Sequence, residues 1–292
     1  MSYRVSHGQG MALILAAGFV WSLNGLLLRM VGDAGTWQVL FYRSIGMVPV
    51  LFLWVALGSG GKPFRALRGT GWAGVIGGLG LVFAFAGAIY SMQATSIANA
   101  VFLFAAAPLI TAVMARPILG ERVRPITWAA IAIAVLGIFL MVREGLALGA
   151  GIGSAAALAS AAGFSAFTLT LRRARLSDMT PAVLIGAILA IVVAAMVILG
   201  RDESYALPAR AIALSLLMGA ITITGGMALF TTGARVIPAA EAGLLVLIEV
   251  MLAPVWVWAF WEEPTSRNTL IGVGVLLAAI VLNTLGTSRK TG

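Results

Sequence analysis

One membrane-spanning passage occurs twice in this chain, and this repeat limits the folds that the chain can adopt. The first copy is AVFLFAAAPLITAVMARPILGERV (100–123) and the second is AGLLVLIEVMLAPVWVWAFWEEPT (242–265). At that offset Glu121 aligns with Glu263, and Ala107 aligns with Glu249. A shorter echo, AAGF, begins at residue 16 and again at residue 161. The chain is therefore predicted to contain two copies of one unit, residues 1–145 and residues 146–292.

The composition is that of an integral membrane protein. Of 292 residues, 61% are hydrophobic and 10% are charged, whereas about 25% are charged in ordinary soluble domains. Apolar runs of about 20 residues, each long enough to cross a bilayer, recur along the whole length. They predict an all-α protein with ten transmembrane helices, at about 9–30, 37–57, 70–90, 97–117, 126–143, 148–171, 181–200, 209–234, 239–261 and 267–286. The first ten residues hold no apolar segment ending in small residues, so the first span is predicted to be retained.

Basic residues in the short loops predict the orientation, because cytoplasmic loops carry an excess of Lys and Arg. One side would hold thirteen of them: Arg4, Lys62, Arg65, Arg68, Arg116, Arg122, Arg124, Arg172, Arg173, Arg175, Arg235, Arg289 and Lys290. The other side would hold five: Arg29, Arg143, Arg201, Arg210 and Arg267. This bias predicts a protein of the inner (plasma) membrane with both termini in the cytoplasm. Five spans per unit then make the two units inverted copies, an architecture of many secondary transporters.

Several classes of function are disfavoured by what the sequence lacks. There is no cysteine, and the one histidine, His7, precedes the first span, so neither a thiolate site nor a histidine relay across the membrane is expected. No span holds two Asp or Glu residues within one helical turn of each other as a pair for acid–base hydrolysis, and no G-x-x-x-x-G-K-[ST] motif is present for ATP. The net charge of +9 is spread over short loops, which argues against nucleic-acid binding. We therefore expect a non-enzyme without metal or cofactor.

The order of several short motifs resembles the EamA type of the drug/metabolite transporter superfamily. The motifs are WSLN (21–24), FYR (41–43), ATSIA (94–98), Pro108 and LGER (119–122), followed by AAEA (239–242), IE (248–249) and Glu263 in the second half. The resemblance implies a ten-helix carrier with two inverted five-helix halves around a central cavity, similar to bacterial exporters of aromatic and neutral amino acids and other metabolites. One departure is Val250, where the family's usual proline is replaced and Pro254 follows one turn later.

Polar and aromatic residues inside the apolar spans are the candidates for substrate binding. Trp21 and Asn24 are three residues apart on one helix face, and Ser165 and Thr168 repeat that spacing in the matching sixth span. The remaining candidates are the ionisable residues Arg43 and Glu249 and the aromatic residues Tyr42, Phe83, Tyr90, Phe102 and Trp256. An ionisable residue within a membrane is a functional hypothesis by default. Two alternatives stay open: Glu249 as a structural glutamate, and Arg43 reaching to the membrane interface.

The expected function is secondary transport by alternating access, with a small-molecule substrate and the lipid bilayer as partners. An apolar, aromatic-walled cavity with one cation and one anion would suit a zwitterion with an uncharged side chain. The sequence therefore predicts export of neutral and aromatic amino acids, with a proton as a candidate coupling ion. The alternative is an efflux carrier for lipophilic drugs, since aromatic walls would serve those too. A channel is disfavoured because nothing indicates a ring of selectivity groups.

Overall fold

The computed structural model describes residues 5–94, 100, 103–104, 106–142, 151–174, 178–261 and 267–288, and within these ranges it is helical without strands. The helices are α1 (His7–Val31), α2 (Thr36–Gly58), α3 (Pro63–Gly69), α4 (Gly71–Ala94), α5 (Ala106–Leu119), α6 (Pro125–Val142), α7 (Gly151–Arg173), α8 (Thr180–Gly200), α9 (Ala209–Gly233), α10 (Ala239–Val246), α11 (Ile248–Trp261) and α12 (Arg267–Ser288). Helices α1, α2, α4, α7, α8 and α9 are long and apolar enough to cross a membrane, and Ala106–Leu119, Pro125–Leu140 and Leu270–Asn283 are shorter apolar helices.

Three features differ from the regular spans that the sequence predicts. A short helix, α3, occupies the connection between α2 and α4. Helix α9 contains a π-helical turn over Met218–Ile223. The predicted span 239–261 is divided at Leu247, which separates α10 from α11. The two interruptions have no proline at the break, so they depend on tertiary contacts that the apolar pattern does not reveal.

Glycines allow the helices to approach one another at backbone distance. A Cβ atom on Gly163 of α7 would lie 2.5 Å from the carbonyl oxygen of Gly80 on α4, so neither position accepts a larger residue without movement. Gly46 of α2 contacts the carbonyl of Leu216 on α9 in the same way. Since lipid tails are as apolar as leucine, close backbone approach of this kind is a main source of helix association in a bilayer.

The helix contacts form a set of matching pairs. Helix α1 packs against α9 and α11, as α7 packs against α4 and α5. Helix α2 packs against α8, α5 against α10, and α6 against α12. The outer surface is apolar, with Leu57, Trp72 and Ile152 each at least 74% exposed. Such large apolar exposure fits contact with lipid rather than with water.

Helix ends gather on two opposite faces of the molecule. The terminal face holds the start of α1, the end of α12, residues 174 and 178–179, and the connections at 58–62, 120–124 and 234–238. Its contacts include Gly10 on Ile237 and Thr127 on Asn283. The far face holds the ends of α1 and α4 and the connection 201–208. There Tyr42 donates a hydrogen bond to the carbonyl of Tyr205 at 2.8 Å.

Candidate substrate cavity

A cavity of about 810 Å³ runs between α1, α2, α4, α5, α7, α9, α10 and α11. At the far face its mouth is lined by the exposed residues Arg29, Gly32 and Asp33 and by Gln93. At the other end the lining stops at Thr168 and Ala239, and Ala239 is 1% exposed. The volume suits a small molecule. The cavity is therefore a blind pocket that opens to the far face.

Arg43 is the buried cation of this cavity. It lies on α2 and is 4% exposed, and its guanidinium carbon is 4.6 Å from the centre of the Phe85 ring. Its Nε and Nη2 atoms find no hydrogen-bond partner among the described residues. Arginine normally offers five N–H donors in a planar fork that matches a carboxylate. The guanidinium group therefore has free donors with which it can bind an anion in the cavity.

Glu249 is the acidic residue in the inner part of the cavity. It lies in the first turn of α11, two residues beyond the break at Leu247, and its side chain lines the cavity. Within the described part of the chain it makes no ion pair and no hydrogen bond. Trp256, two turns further along α11, also lines the cavity and donates an indole N–H to Ser22 Oγ of α1 at 2.8 Å. That bond ties the helix carrying Glu249 to α1.

An aromatic cluster forms the floor of the cavity. Trp21 packs edge-on against Phe164 of α7 with ring centres 5.8 Å apart, and it lies 5.6 Å from Phe230 of α9. Phe164 and Phe230 are themselves 5.1 Å apart. Trp21 also fills the space where a side chain at Gly226 would lie. The cluster thus joins α1, α7 and α9 below the cavity.

Among the polar candidates, Asn24 and Thr168 line the cavity and Ser165 does not. Thr222 Oγ1 lies 2.8 Å from Oδ1 of Asn24 as the amide is placed, whereas the hydroxyl of Thr168 donates to the carbonyl of Phe164 in its own helix at 3.0 Å. Ser165 is 2% exposed and its hydroxyl lies 3.0 Å from both Thr111 Oγ1 and the carbonyl of Ala107. Ser165 therefore links α7 to α5 by hydrogen bonds outside the cavity lining.

Three of the other aromatic candidates are not part of the cavity lining. Phe83 is 61% exposed on the outer surface of α4. Tyr42 contacts Phe41 and the carbonyl of Tyr205 instead of the cavity. Tyr90 is half-buried and is not part of the lining. Phe102 lies outside the described residues. We leave Phe83, Tyr42 and Tyr90 out of the proposed site, and Phe102 stays a prediction.

The structure adds residues that the sequence did not single out. Phe85 under Arg43, Phe104 and Phe164 line the cavity, as does Gln93, which the sequence already indicates as a residue of the mouth at the outer end of the third span. Gln93 donates to the carbonyl of Ala34 at 2.9 Å and accepts from Thr36, which links α4 to the connection between α1 and α2. A signal existed for Phe164, since it belongs to the repeated AAGF segment. The described residues contain no group of three His, Asp or Glu side chains placed to bind a metal.

Polar contacts close the terminal face below the aromatic floor. Arg172 at the end of α7 pairs with Glu121 at 2.7 Å and donates to the carbonyls of Ala234 and Ile237. Arg124 pairs with Glu241, which is 3% exposed. A third pair, Arg235 with Asp178, is 2.7 Å long.

A small apolar cluster, Ala115, Leu169 and Ala239, lies between α5, α7 and α10 beside these pairs. At the far face, the cross-links between residues 1–145 and residues 146–292 include two neutral hydrogen bonds, from Gln38 to the carbonyl of Ser204 and from Tyr42 to that of Tyr205.

Comparison with known proteins identifies relatives of this chain in sequence and in fold. The model of the EamA-like transporter family matches the chain twice, over residues 8–143 and over residues 151–285. The pseudopaline exporter CntI of Pseudomonas aeruginosa, from strains PAO1 and UCBPP-PA14, is 24% identical over 285 residues, which cover 94% of this chain and 95% of the exporter. A solved crystal structure superposes with a TM-score of 0.80 at 18% identity, covering 96% of this chain and 98% of that one. The last likeness shows the fold alone.

Proposed function

The chain belongs to the EamA-like transporter family, and on that premise we propose that it is a secondary carrier that exports neutral and aromatic amino acids. One observation carries the proposal: Arg43 and Glu249 line one apolar cavity, and two guanidinium nitrogens of Arg43 have no hydrogen-bond partner among the described residues. The carboxylate of an amino acid matches the guanidinium fork of Arg43. Its ammonium matches Glu249, and its side chain matches the aromatic wall around Trp21 and Phe85.

Alternating access between two inverted halves, residues 1–145 and 146–292, is the mechanism that we propose. The paired packing of helices supports it, since each contact of α1 with α9 or α11 has a counterpart of α7 with α4 or α5. The two separate matches to the family also support two copies of one unit. In this conformation the cavity opens to the far face and the terminal face is closed. Rocking of the halves would reverse that arrangement around the same site.

We propose that the terminal face is cytoplasmic and that the membrane is the inner membrane. Among the described residues, the terminal face carries Lys62, Arg65, Arg68, Arg116, Arg122, Arg124, Arg172, Arg173 and Arg235, and the far face carries Arg29, Arg201, Arg210 and Arg267. That difference follows the usual excess of Lys and Arg in cytoplasmic loops. The cavity then faces the outside. The relative CntI is an exporter, which supports transport in the outward direction.

Counterflow in proteoliposomes tests the substrate class. Vesicles loaded with unlabelled L-phenylalanine should accumulate external labelled phenylalanine, and the accumulation should saturate. Trp21→Ala should reduce it by roughly tenfold, because a buried aromatic contact contributes about 1–3 kcal/mol. The matched control is Trp54→Ala, since Trp54 is 50% exposed on the outer surface and its loss should change little. Accumulation of tetraphenylphosphonium instead of phenylalanine would contradict the amino-acid assignment and favour lipophilic efflux.

We further propose that Glu249 binds the coupling proton. Glu249→Gln keeps an amide oxygen that accepts from a substrate ammonium, but it cannot gain or lose a proton. Uptake driven by a pH gradient should therefore fall to the level of empty vesicles, while counterflow should continue. Glu203→Gln, at the far face outside the cavity lining, is the control and should keep both activities. Unchanged uptake under the gradient in the Glu249 variant would exclude this role.

A further inference from the structure

We propose that Thr222 is a positioning residue that orients the Asn24 amide so that its oxygen faces the cavity and accepts a hydrogen bond from the substrate's ammonium group. Thr222 lies in the π-helical turn of α9 and is 3% exposed. It does not line the cavity, whereas Asn24 does. The identity of the substrate group rests on the proposed function; the orientation of Asn24 does not.

The hydrogen-bond partners of Thr222 determine the orientation. Its Oγ1 lies 2.6 Å from the carbonyl oxygen of Met218 and 2.8 Å from the atom placed as Oδ1 of Asn24, so two acceptors face one hydroxyl. A hydroxyl has a single proton, so it donates to one of these groups only. The carbonyl of Met218 can only accept, and it therefore takes that proton. The Asn24 amide, whose two terminal groups exchange places on a 180° rotation about χ2, must then donate its NH₂ to Oγ1.

That assignment leaves the Asn24 oxygen unused. The side chain of Asn24 makes no other hydrogen bond within the described part of the chain, and with its NH₂ held by Thr222 its oxygen points into the cavity. An amide oxygen there is an acceptor for an N–H donor and offers nothing to a carboxylate. Without Thr222 the amide would rotate freely and present either group. Thr222 therefore determines the polarity of this part of the wall.

The π-helical turn also places the hydrogen-bonded pair of Thr222 and Asn24 next to Arg43. Gly219, in the same turn, packs directly on the carbonyl of Arg43, where any Cβ atom would clash. One turn of α9 thus holds both an anion-binding cation on α2 and an ammonium-accepting amide on α1. π-helical turns inside α-helices occur frequently at functional sites, and here the turn joins two groups suited to the two ends of a zwitterion.

The chain supplies a close control for the test. Thr224, also in α9, is 1% exposed and donates to the carbonyl of Gly219 at 2.8 Å, and it makes no hydrogen bond to Asn24. We compare the unaltered protein with Thr222→Val, Thr222→Ser and Thr224→Val in proteoliposomes. The probes are L-phenylalanine and 3-phenylpropionate, which shares the ring and the carboxylate but lacks the ammonium.

Thr222→Val should raise the half-saturation concentration for phenylalanine roughly tenfold, the usual effect of weakening one charge-assisted hydrogen bond, and should change the maximal rate little. It should leave 3-phenylpropionate unaffected. Thr222→Ser should restore the value, and Thr224→Val should resemble the unaltered protein. Equal weakening for both probes, or an equal effect of Thr224→Val, would overturn the proposal.

A second measurement is independent of transport. The chain has four asparagines, Asn24, Asn99, Asn268 and Asn283, so the side-chain ¹⁵N resonance of Asn24 can be identified by substitution. It should shift in Thr222→Val and stay in place in Thr224→Val. An unshifted resonance in Thr222→Val would refute the positioning role. If the unaltered protein transports no phenylalanine, the amino-acid assignment and the ammonium partner fail together, whereas a shifted resonance would still support the orientation of Asn24.

Discussion

Replacing Arg43 by methionine should abolish amino-acid transport and at the same time make the protein more resistant to heat. Arg43 is 4% exposed, and its Nε and Nη2 atoms have no partner among the described residues. A charge buried without full pairing destabilises a fold by several kcal/mol, partly offset here by the Phe85 ring at 4.6 Å. Methionine fills similar space without that penalty. The transported carboxylate, however, loses its bidentate partner, at a cost of about 2–5 kcal/mol.

The two effects have opposite signs, which distinguishes a binding residue from a structural one. Counterflow of phenylalanine in proteoliposomes should fall by roughly a hundredfold or more, and the unfolding temperature in detergent should rise by several degrees. Arg43→Lys keeps the charge but not the fork, so it should transport weakly without gaining stability. Arg210→Met, at an exposed position of the far face, should change neither. Loss of both transport and stability in Arg43→Met would show that Arg43 is needed for folding instead.

The sequence predicts the spans well because each depends on a local property. An apolar run of sufficient length crosses a bilayer whatever its neighbours are, and α1, α2, α4, α7, α8 and α9 begin and end within about four residues of the expected spans. The interruption at Leu247 and the π-helical turn at Met218–Ile223 have no such local cause. They depend on packing against helices that are distant in the chain.

The candidate site likewise contains residues that the sequence identifies and residues that only the packing reveals. Asn24, Arg43 and Glu249 were identifiable because a polar group within a lipid-spanning run needs a reason, and all three line the cavity. Aromatic residues carry no such signal, since the lipid-facing and the interior surfaces of a membrane helix are both apolar. Phe83 and Phe85 lie two residues apart on α4, yet Phe83 is 61% exposed and Phe85 supports Arg43. Thr222 was missed because a threonine that bonds within its own helix is common.

Charge pairing at the terminal face is the basis of the second prediction. Glu121 with Arg172 and Arg124 with Glu241 each join residues 1–145 to residues 146–292 at this face. Partly exposed ion pairs contribute about 1 kcal/mol each. Removing both should therefore shift the equilibrium roughly 30-fold toward a conformation open at the terminal face. Asp178 and Arg235 both belong to the second half, so their pair does not hold the halves together.

The absence of cysteine from the chain makes this opening measurable by labelling. A cysteine at Ala115, which is 1% exposed in the apolar cluster beside the ion pairs, should not react with a membrane-impermeant maleimide in the otherwise unaltered protein. With Glu121→Gln and Glu241→Gln it should react, and only from the terminal face. Asp178→Asn is the matched control and should leave the Ala115 position unreactive.

Cysteines at Ser59 and Ser204 test which face is cytoplasmic, and we expect Ser59 to be reached from the cytoplasm and Ser204 from outside. If the Ala115 position stays unreactive in the double variant, the two ion pairs do not hold the terminal face closed. If the Ser59 position is labelled by the impermeant maleimide in intact cells, the proposed orientation is wrong.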